Sequence, residues 1–364
     1  MDKNILIIDD SALMRRMLSD IIVKNSKFNV AGLAKNGQTA LEMLRENKSK
    51  FDVILLDFFL PDMNADEILI QIEKLGIQSK VILISGVIKE DAMEIIQALE
   101  DGAFDFVTKP MNFMGTNNHF QKKLLQRIEL AMSEMEKARK IKQKKISPVS
   151  TVKTEPVLIN LHSERKKKGS VEGEKLIALA CSTGGPRALH QVIPKLPKNM
   201  NAPMVIVQHM PKGFTKSLAM RLDEISQVTV KEGEDGDVLE KGVVYIAPGG
   251  AQMRVAKNKG QYVLKITDEP ARNGLRPCAD IMYESLVQSD YAEIVCVVLT
   301  GMGGDGTAGI RELEKQNNIY SITQNAETCT VYGMPKVLYE SGLADVVLPL
   351  QDIAEAIWKH VGVQ

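Results

Sequence analysis

The chain has 364 residues, enough for two or three ordinary domains, because single hydrophobic cores stop growing near about 250–300 residues. Lys+Arg and Asp+Glu balance at 46 each, so no overall field draws nucleic acid or an anionic membrane, and neither partner is expected. Cys181, Cys278, Cys296 and Cys329 stand far apart with no C-x-x-C pair, which argues against disulfide staples and zinc ribbons. Met1-Asp2-Lys3-Asn4 leads straight into a strand-like stretch without the basic segment and apolar core of a signal peptide. No apolar run approaches the ~20 residues that span a bilayer, so a reducing, cytoplasmic location without membrane insertion is expected.

From Asn4 to about Leu130, short apolar runs at 5–8, 53–56, 81–84 and 104–107 alternate with helix-period segments. Continuous apolarity predicts strands buried on both faces, the mark of a parallel sheet wrapped by helices. A helix is predicted over 119–141, with Leu124, Leu125, Ile128, Met132 and Met135 at spacings of three and four. Residues 142–174 lose periodicity, carry Pro148, Pro156 and the run Arg165-Lys166-Lys167-Lys168, and read as a solvated linker because no aromatic residues interleave. The second half repeats the alternation at 176–180, 204–207, 243–247, 262–266, 294–299, 319–323 and 346–348. The chain is therefore expected to be α/β, with two doubly wound parallel-sheet domains: 1–130, a helical extension and linker at 131–174, and 175–364. The runs 243–247 and 262–266, joined without room for a crossover helix, are expected to pair as an antiparallel hairpin on the second sheet's edge.

Ligands of open parallel sheets bind beyond the carboxyl ends of the strands, so the polar residues that end each strand matter most. In the first domain these are Asp9-Asp10 after the 5–8 run, Asp57 after the 53–56 run, Ser85 after the 81–84 run and Lys109-Pro110 after the 104–107 run. Three gathered carboxylates repel one another and are best reconciled by a divalent cation with oxygen ligands, which points to magnesium. With that ion present, Asp57 can attack a phosphoryl group while Lys109 neutralises its oxygens and Ser85 hydrogen-bonds one of them. Singly, each residue has a plainer reading, since Asp commonly caps a following helix and Lys before Pro is often a solvated loop residue. Jointly, they resemble the receiver domain of two-component response regulators over the first third of the chain, a flavodoxin-like fold. The resemblance implies that a histidine kinase phosphorylates Asp57, that Asp9, Asp10 and Asp57 hold the metal together with the Phe59 carbonyl, and that Phe106 is an aromatic switch repacking when Ser85 moves.

In the second domain the first strand runs into Cys181-Ser182-Thr183-Gly184-Gly185-Pro186, which sets a hydroxyl on a strand-to-helix turn. From that motif alone, a catalytic serine, a phosphate cradle and a helix cap all stand. A serine nucleophile needs a base, and elimination among the five histidines favours His209. His119 falls in the first domain, His162 in the linker, His190 in the helix after Ser182 and His360 in the C-terminal helix, whereas His209 follows the 204–207 strand at the same sheet edge as Ser182. Asp305, in Thr300-Gly301-Met302-Gly303-Gly304-Asp305-Gly306 after the 294–299 strand, is the carboxylate placed to orient the imidazole, with flanking glycines expected to leave amides open to an oxyanion.

The order Ser, His, Asp differs from that of α/β-hydrolases and of the familiar serine proteases. This half resembles the catalytic domain of the chemotaxis protein-glutamate methylesterases, which also deamidate glutamine; the match includes Gln208 to Phe214, Arg276-Pro277, Thr300 to Gly306 and Tyr332-Gly333-Met334-Pro335. It implies Ser182 as nucleophile, His209 as base, Asp305 as orienting acid, the Met302 amide and the Thr183 neighbourhood at the oxyanion, and Arg276 on the substrate side. Ala180, Leu275, Cys278 and Asn325 stand where the family often has Gly, His, Ser and Asp, which bears on substrate preference rather than reaction type. The implied substrate is a glutamate γ-methyl ester, or a glutamine amide, on a chemoreceptor's cytoplasmic helices; no cofactor is needed for hydrolysis. The domain order suggests that an unphosphorylated receiver blocks the Ser182 crevice until Asp57 is phosphorylated. A non-catalytic binding output and a DNA-binding output are the alternatives, the latter disfavoured because no compact basic helix-turn-helix segment is present.

Overall fold

The computed structural model describes residues 3–25, 27–86, 92–110, 118–144 and 171–364. Pro148, Pro156, the run 165–168 and His162 lie outside the described residues. The chain divides into two compact units, Met1–Val152 and Lys153–Gln364. Among the described residues no helix is long and apolar enough to cross a membrane.

The first unit alternates β1 (Asn4–Ile8), α1 (Ala12–Lys24), β2 (Asn29–Ala34), α2 (Gly37–Glu46), β3 (Val53–Asp57), α3 (Ala65–Lys74), β4 (Lys80–Ser85), α4 (Ala92–Glu100), β5 (Asp105–Thr108) and α5 (Asn118–Lys144). Its five-stranded sheet has the order β2-β1-β3-β4-β5 with every ladder parallel. The fully apolar interiors of β1, β3 and β4 follow, since both faces of these strands are buried. Local capping fixes where the helices begin: Ser11 Oγ accepts the Met14 amide and Asn36 Oδ1 accepts that of Thr39. The long α5 buries Leu124, Ile128, Met132 and Met135 of the expected stripe, together with Phe120 and Ala131, while Leu125 is half-buried. Because the chain leaves β1 for β2 on one side and returns to β3 on the other, the switch point falls between β1 and β3, beside Asp9, Asp10 and Asp57.

The second unit runs β6 (Lys175–Cys181), α6 (Gly185–Val192), β7 (Met204–Gln208), α7 (Phe214–Ile225), β8 (Thr229–Glu232), β9 (Val243–Ile246), β10 (Gln252–Asn258), β11 (Gln261–Thr267), α8 (Ala279–Ser285), β12 (Glu293–Val298), α9 (Thr307–Glu314), β13 (Ile319–Gln324), α10 (Met334–Glu340), β14 (Val346–Leu348) and α11 (Leu350–Val361). Its seven-stranded sheet is parallel throughout, in the order β14-β13-β12-β6-β7-β9-β8. The switch point lies between β6 and β12, next to the strand that leads to His209.

The expected hairpin of 243–247 with 262–266 does not form. The 243–246 segment is β9, paired in parallel with β7 on one side and β8 on the other, while 262–266 falls in β11, which pairs with β10 as a separate antiparallel sheet. The physical reason lies in β10: it mixes Arg254, Lys257 and Asn258 with its apolar residues, and Lys259 and Gly260, both at positive φ, close it directly onto β11.

Tyr283 of α8 is fully buried in the core of this unit, and its hydroxyl reaches the carbonyl oxygens of Ala178 at 3.0 Å and Val297 at 3.2 Å, bridging β6 and β12. At the opposite ends of the same two strands, Lys175 and Glu293 pair at 3.0 Å, Lys175 Nζ donates to the His360 carbonyl, and His360 Nε2 lies 2.6 Å from Glu293 Oε2. The His360 ring stacks on Tyr320, so α11, which also carries Trp358, is tied to the sheet by charge and by ring contact. Tyr283→Phe should lower the unfolding free energy of this unit by about 1 kcal/mol through the lost hydrogen bond, and Tyr283→Ala by about 3–5 kcal/mol through the cavity, as read by urea unfolding.

Candidate active site

Three strand ends meet in the second unit, and backbone hydrogen bonds hold them in register. The Ser182 amide donates to the Thr300 carbonyl at 3.0 Å, joining the end of β6 to that of β12, and the His209 amide donates to the Cys181 carbonyl at 3.2 Å, joining β7 to β6. Gly301 presses against the serine: a Cβ there would stand 2.9 Å from Ser182 Cβ, so only glycine permits this approach. Thr300 Oγ1 donates to the Thr183 carbonyl at 2.9 Å and accepts the Val331 amide at 2.9 Å, which fixes the residue that follows the serine.

Beneath this surface Gln208 forms a buried knot. Its amide nitrogen donates to the Ser182 carbonyl at 3.0 Å, and its oxygen lies 3.0 Å from the Cys181 thiol. A Cβ on Gly185 would come 1.8 Å from that same oxygen, so the small residue is the condition for the knot. The N-cap of α6 is Gly184 rather than Ser182, which removes the capping reading of the serine.

His209 Nε2 lies 2.8 Å from Asp305 Oδ2. The carboxylate is saturated: Oδ2 also accepts the Ala279 amide at 2.6 Å, while Oδ1 takes the Asp280 amide and the Cys278 thiol, each at 3.1 Å. Burial works against the charge on Asp305, but the His209 hydrogen bond and charge, the Ala279 amide and the Cys278 thiol hold its carboxyl well below the usual range. Cys278 itself is pushed up to about 12, foremost by burial and then by the Asp305 charge, so it stands here as a protonated donor. Nε2 is thus the ring nitrogen directed at the acid, the reverse of the trypsin-type arrangement, in which Nδ1 faces it. The Asp305 carboxylate in the crevice, its side chain 5% exposed, also opposes the phosphate-cradle reading, because it repels an anion.

Thr183 is buried and Met302 half-buried beside the serine, both in the loops that these bonds hold. The Arg276 guanidinium pairs with the exposed Asp268. The Gly306 amide, expected to be open to an oxyanion, instead donates to Asp280 Oδ1 at 2.9 Å. The parts played by Gln208, Cys278 and Asp280 went unread in the sequence; a carboxylate two residues beyond Cys278, in the first turn of a helix, was the available signal for the last.

In the first unit Asp9, Asp10 and Asp57 bring ligand-type oxygens within 4.8 Å of one another. Lys109 Nζ stands 2.7 Å from Asp57 Oδ2 and 3.1 Å from Asp9 Oδ2, the latter without hydrogen-bond geometry, so Asp9 Oδ2 is buried without a hydrogen bond. Burial foremost, opposed by Lys109 and reinforced by Asp9, pushes the Asp57 carboxyl up to about 6. An all-oxygen donor set of three acids with an unsatisfied buried oxygen fits a hard divalent cation. Ser85 Oγ is spent on the Gly86 carbonyl at 3.0 Å, the Phe106 ring is buried, and the Phe59 side chain is exposed with its ring edge-on to Phe58.

Residues 177–357 match the family described as CheB methylesterase, and residues 5–120 match the response regulator receiver domain. The protein-glutamate methylesterase/protein-glutamine glutaminase of Bacillus subtilis is 40% identical over 359 residues, covering 97% of each chain. That of Thermotoga maritima is 39% identical over 354 residues, again covering 97% of each. The crystal structure of the Thermotoga maritima CheB methylesterase catalytic domain is 43% identical, with a TM-score of 0.50 over 52% of this chain and 99% of that one. Likeness at this level along nearly the full length of its relatives, joined to the geometry above, means that the chain belongs to the family of CheB methylesterases that carry a response regulator receiver domain.

Proposed function

We propose that this chain is a phosphorylation-activated serine hydrolase that removes γ-methyl esters from glutamates, and amides from glutamines, on the cytoplasmic helices of methyl-accepting chemotaxis receptors, and so provides adaptation. Residues 1–130 serve as the receiver, 131–174 as helical extension and linker, and 175–364 as the hydrolase, working in the cytoplasm. The observation that carries this reading is the 2.8 Å bond between His209 and the saturated Asp305, at the sheet edge where Ser182 follows β6.

In the reaction, Ser182 Oγ attacks the side-chain carbonyl and its proton passes to His209 Nδ1. The developing oxyanion is received by the Met302 amide and the Thr183 neighbourhood, and Arg276 orients the substrate from the rim. His209 returns the proton to the departing methanol or ammonia. Water then opens the acyl-enzyme with His209 as base, releasing glutamate and restoring Ser182. Asp305 keeps the imidazole in one tautomer and stabilises its cation throughout.

In the receiver, Asp57 accepts a phosphoryl group from the histidine kinase of the chemotaxis system. Asp9, Asp10, Asp57 and the Phe59 carbonyl would hold magnesium, which when bound neutralises charge on the transferring oxygens. Lys109 is already paired with Asp57 and balances the charge of the product. Ser85 exchanges its bond to Gly86 for a phosphoryl oxygen, and Phe106 repacks in response.

The test is methanol release from a methylated receptor cytoplasmic fragment, with and without a small phosphodonor and magnesium. Ser182→Ala should lower the rate by at least about a thousandfold, as loss of a triad nucleophile does, and full activity would sink the hydrolase reading. Asp57→Ala should abolish the response to phosphodonor; a response equal to the parent's would exclude control through Asp57. A pH dependence follows from Asp305, whose native carboxyl lies below that of an unfolded chain. Its contribution to stability is complete above about pH 4, where unfolded Asp is ionised, and is lost as pH falls through the native value. Asp305→Asn should therefore be less stable than the parent near neutrality, with the gap narrowing below about pH 4 in acid-unfolding curves.

A further inference from the structure

Two helices of the hydrolase unit cap each other with carboxylates. Asp305, just before α9, accepts the amides of Ala279 and Asp280 that open α8, at 2.6 and 3.1 Å. In return Asp280 uses one oxygen, Oδ1, to accept the amides of Gly306 and Gly309 that open α9, at 2.9 and 2.8 Å. The helices meet closely enough that a Cβ on Gly309 would stand 2.7 Å from the Asp280 carbonyl oxygen. Asp280 is 7% exposed, so solvent is poorly placed to replace its acceptor. Burial above all, with the Asp305 charge adding, pushes the Asp280 carboxyl up against the pull of the Gly309 and Gly306 amides. A second acid at this place is therefore unfavourable in itself, and it persists beside a residue whose direction governs the imidazole.

We propose that Asp280 is a positioning residue for the triad: by capping α9 from α8 it fixes the Asp305-Gly306 turn and so aims the Asp305 carboxylate at His209. The inference rests on the hydrolase reading of Ser182, His209 and Asp305. It places a carboxylate that touches neither substrate nor reacting atom in control of the turnover step. Loss of the Oδ1 acceptor frees two buried amides and lets the turn swing, which loosens both oxygens of Asp305 together.

The experiment measures kcat and KM for methanol release by the phosphodonor-activated full chain in Asp280→Ala, Asp280→Asn, Asp305→Ala, the double variant Asp280→Ala with Asp305→Ala, and Ser182→Ala. Asp280→Ala should lose about tenfold or more in kcat with KM within about twofold, and Asp280→Asn, which keeps the acceptor oxygen, should recover most of that loss. In the Asp305→Ala background, Asp280→Ala should change kcat by less than about twofold, since a residue acting through Asp305 has nothing left to position. Should Asp280→Ala fail to fold by near-UV circular dichroism, Asp280→Ser, too short to serve both amides, takes its place with the same expectations. A parent-like kcat in these truncations, an equal loss with and without Asp305, or a loss in Asp280→Asn as deep as in the truncation overturns the proposal. Activity in Ser182→Ala would instead overturn the hydrolase reading itself, which separates the two failures.

Discussion

A buried negative charge organises the hydrolase unit. Asp305 has four hydrogen-bond partners, drawn from β7's end, from the start of α8 and from the Cys278 thiol, and each matters because an ionised carboxylate whose side chain is 5% exposed is costly when its lone pairs are left unmet. That demand fixes where α8 begins and how close it lies to α9. It also explains why glycines crowd the loop after β12: Gly301 must let Ser182 approach, while the turn at Asp305 must deliver its side chain inward.

The two units place their chemistry by one topological rule. In each, the strand order reverses beside the first strand, and polar residues collect in the resulting crevice. The receiver crevice gathers like charges, relieved in part by Lys109. The hydrolase crevice sets Asp305 beside a second acid, Asp280, and meets both with donors of its own fold, amides and a thiol, alongside the His209 imidazole.

Much of this was legible in the sequence because central parallel strands are apolar on both faces: β1, β3, β6 and β12 stand out as apolar runs, and polar residues gather where each run ends or in the loop that follows it. The strands that escaped notice, β2, β8 and β10, are half-exposed or lie outside the main sheet, and their mixed residues carry no such signature. The expected hairpin of 243–247 with 262–266 fails for the same reason, because the partner of β11 is β10, whose mixed residues carry no strand signature. Ser182, His209 and Asp305 could be gathered by placement at strand ends, although their roles at the oxyanion and the substrate drew on family likeness. Gln208 and Asp280 could not, because what they do depends on amides and carbonyls about 26 positions away that only the folded loops bring near.

The tie between α11 and the sheet has a practical side. Trp358 is the only tryptophan in the chain and lies on the helix anchored through His360 to Lys175 and Glu293. Light absorbed selectively by tryptophan is thus re-emitted wholly from the hydrolase unit, with the receiver silent. An unlabelled chain carries a built-in optical reporter of one unit, against which a signal shared by both, such as peptide-bond ellipticity, separates the melting of the receiver by difference.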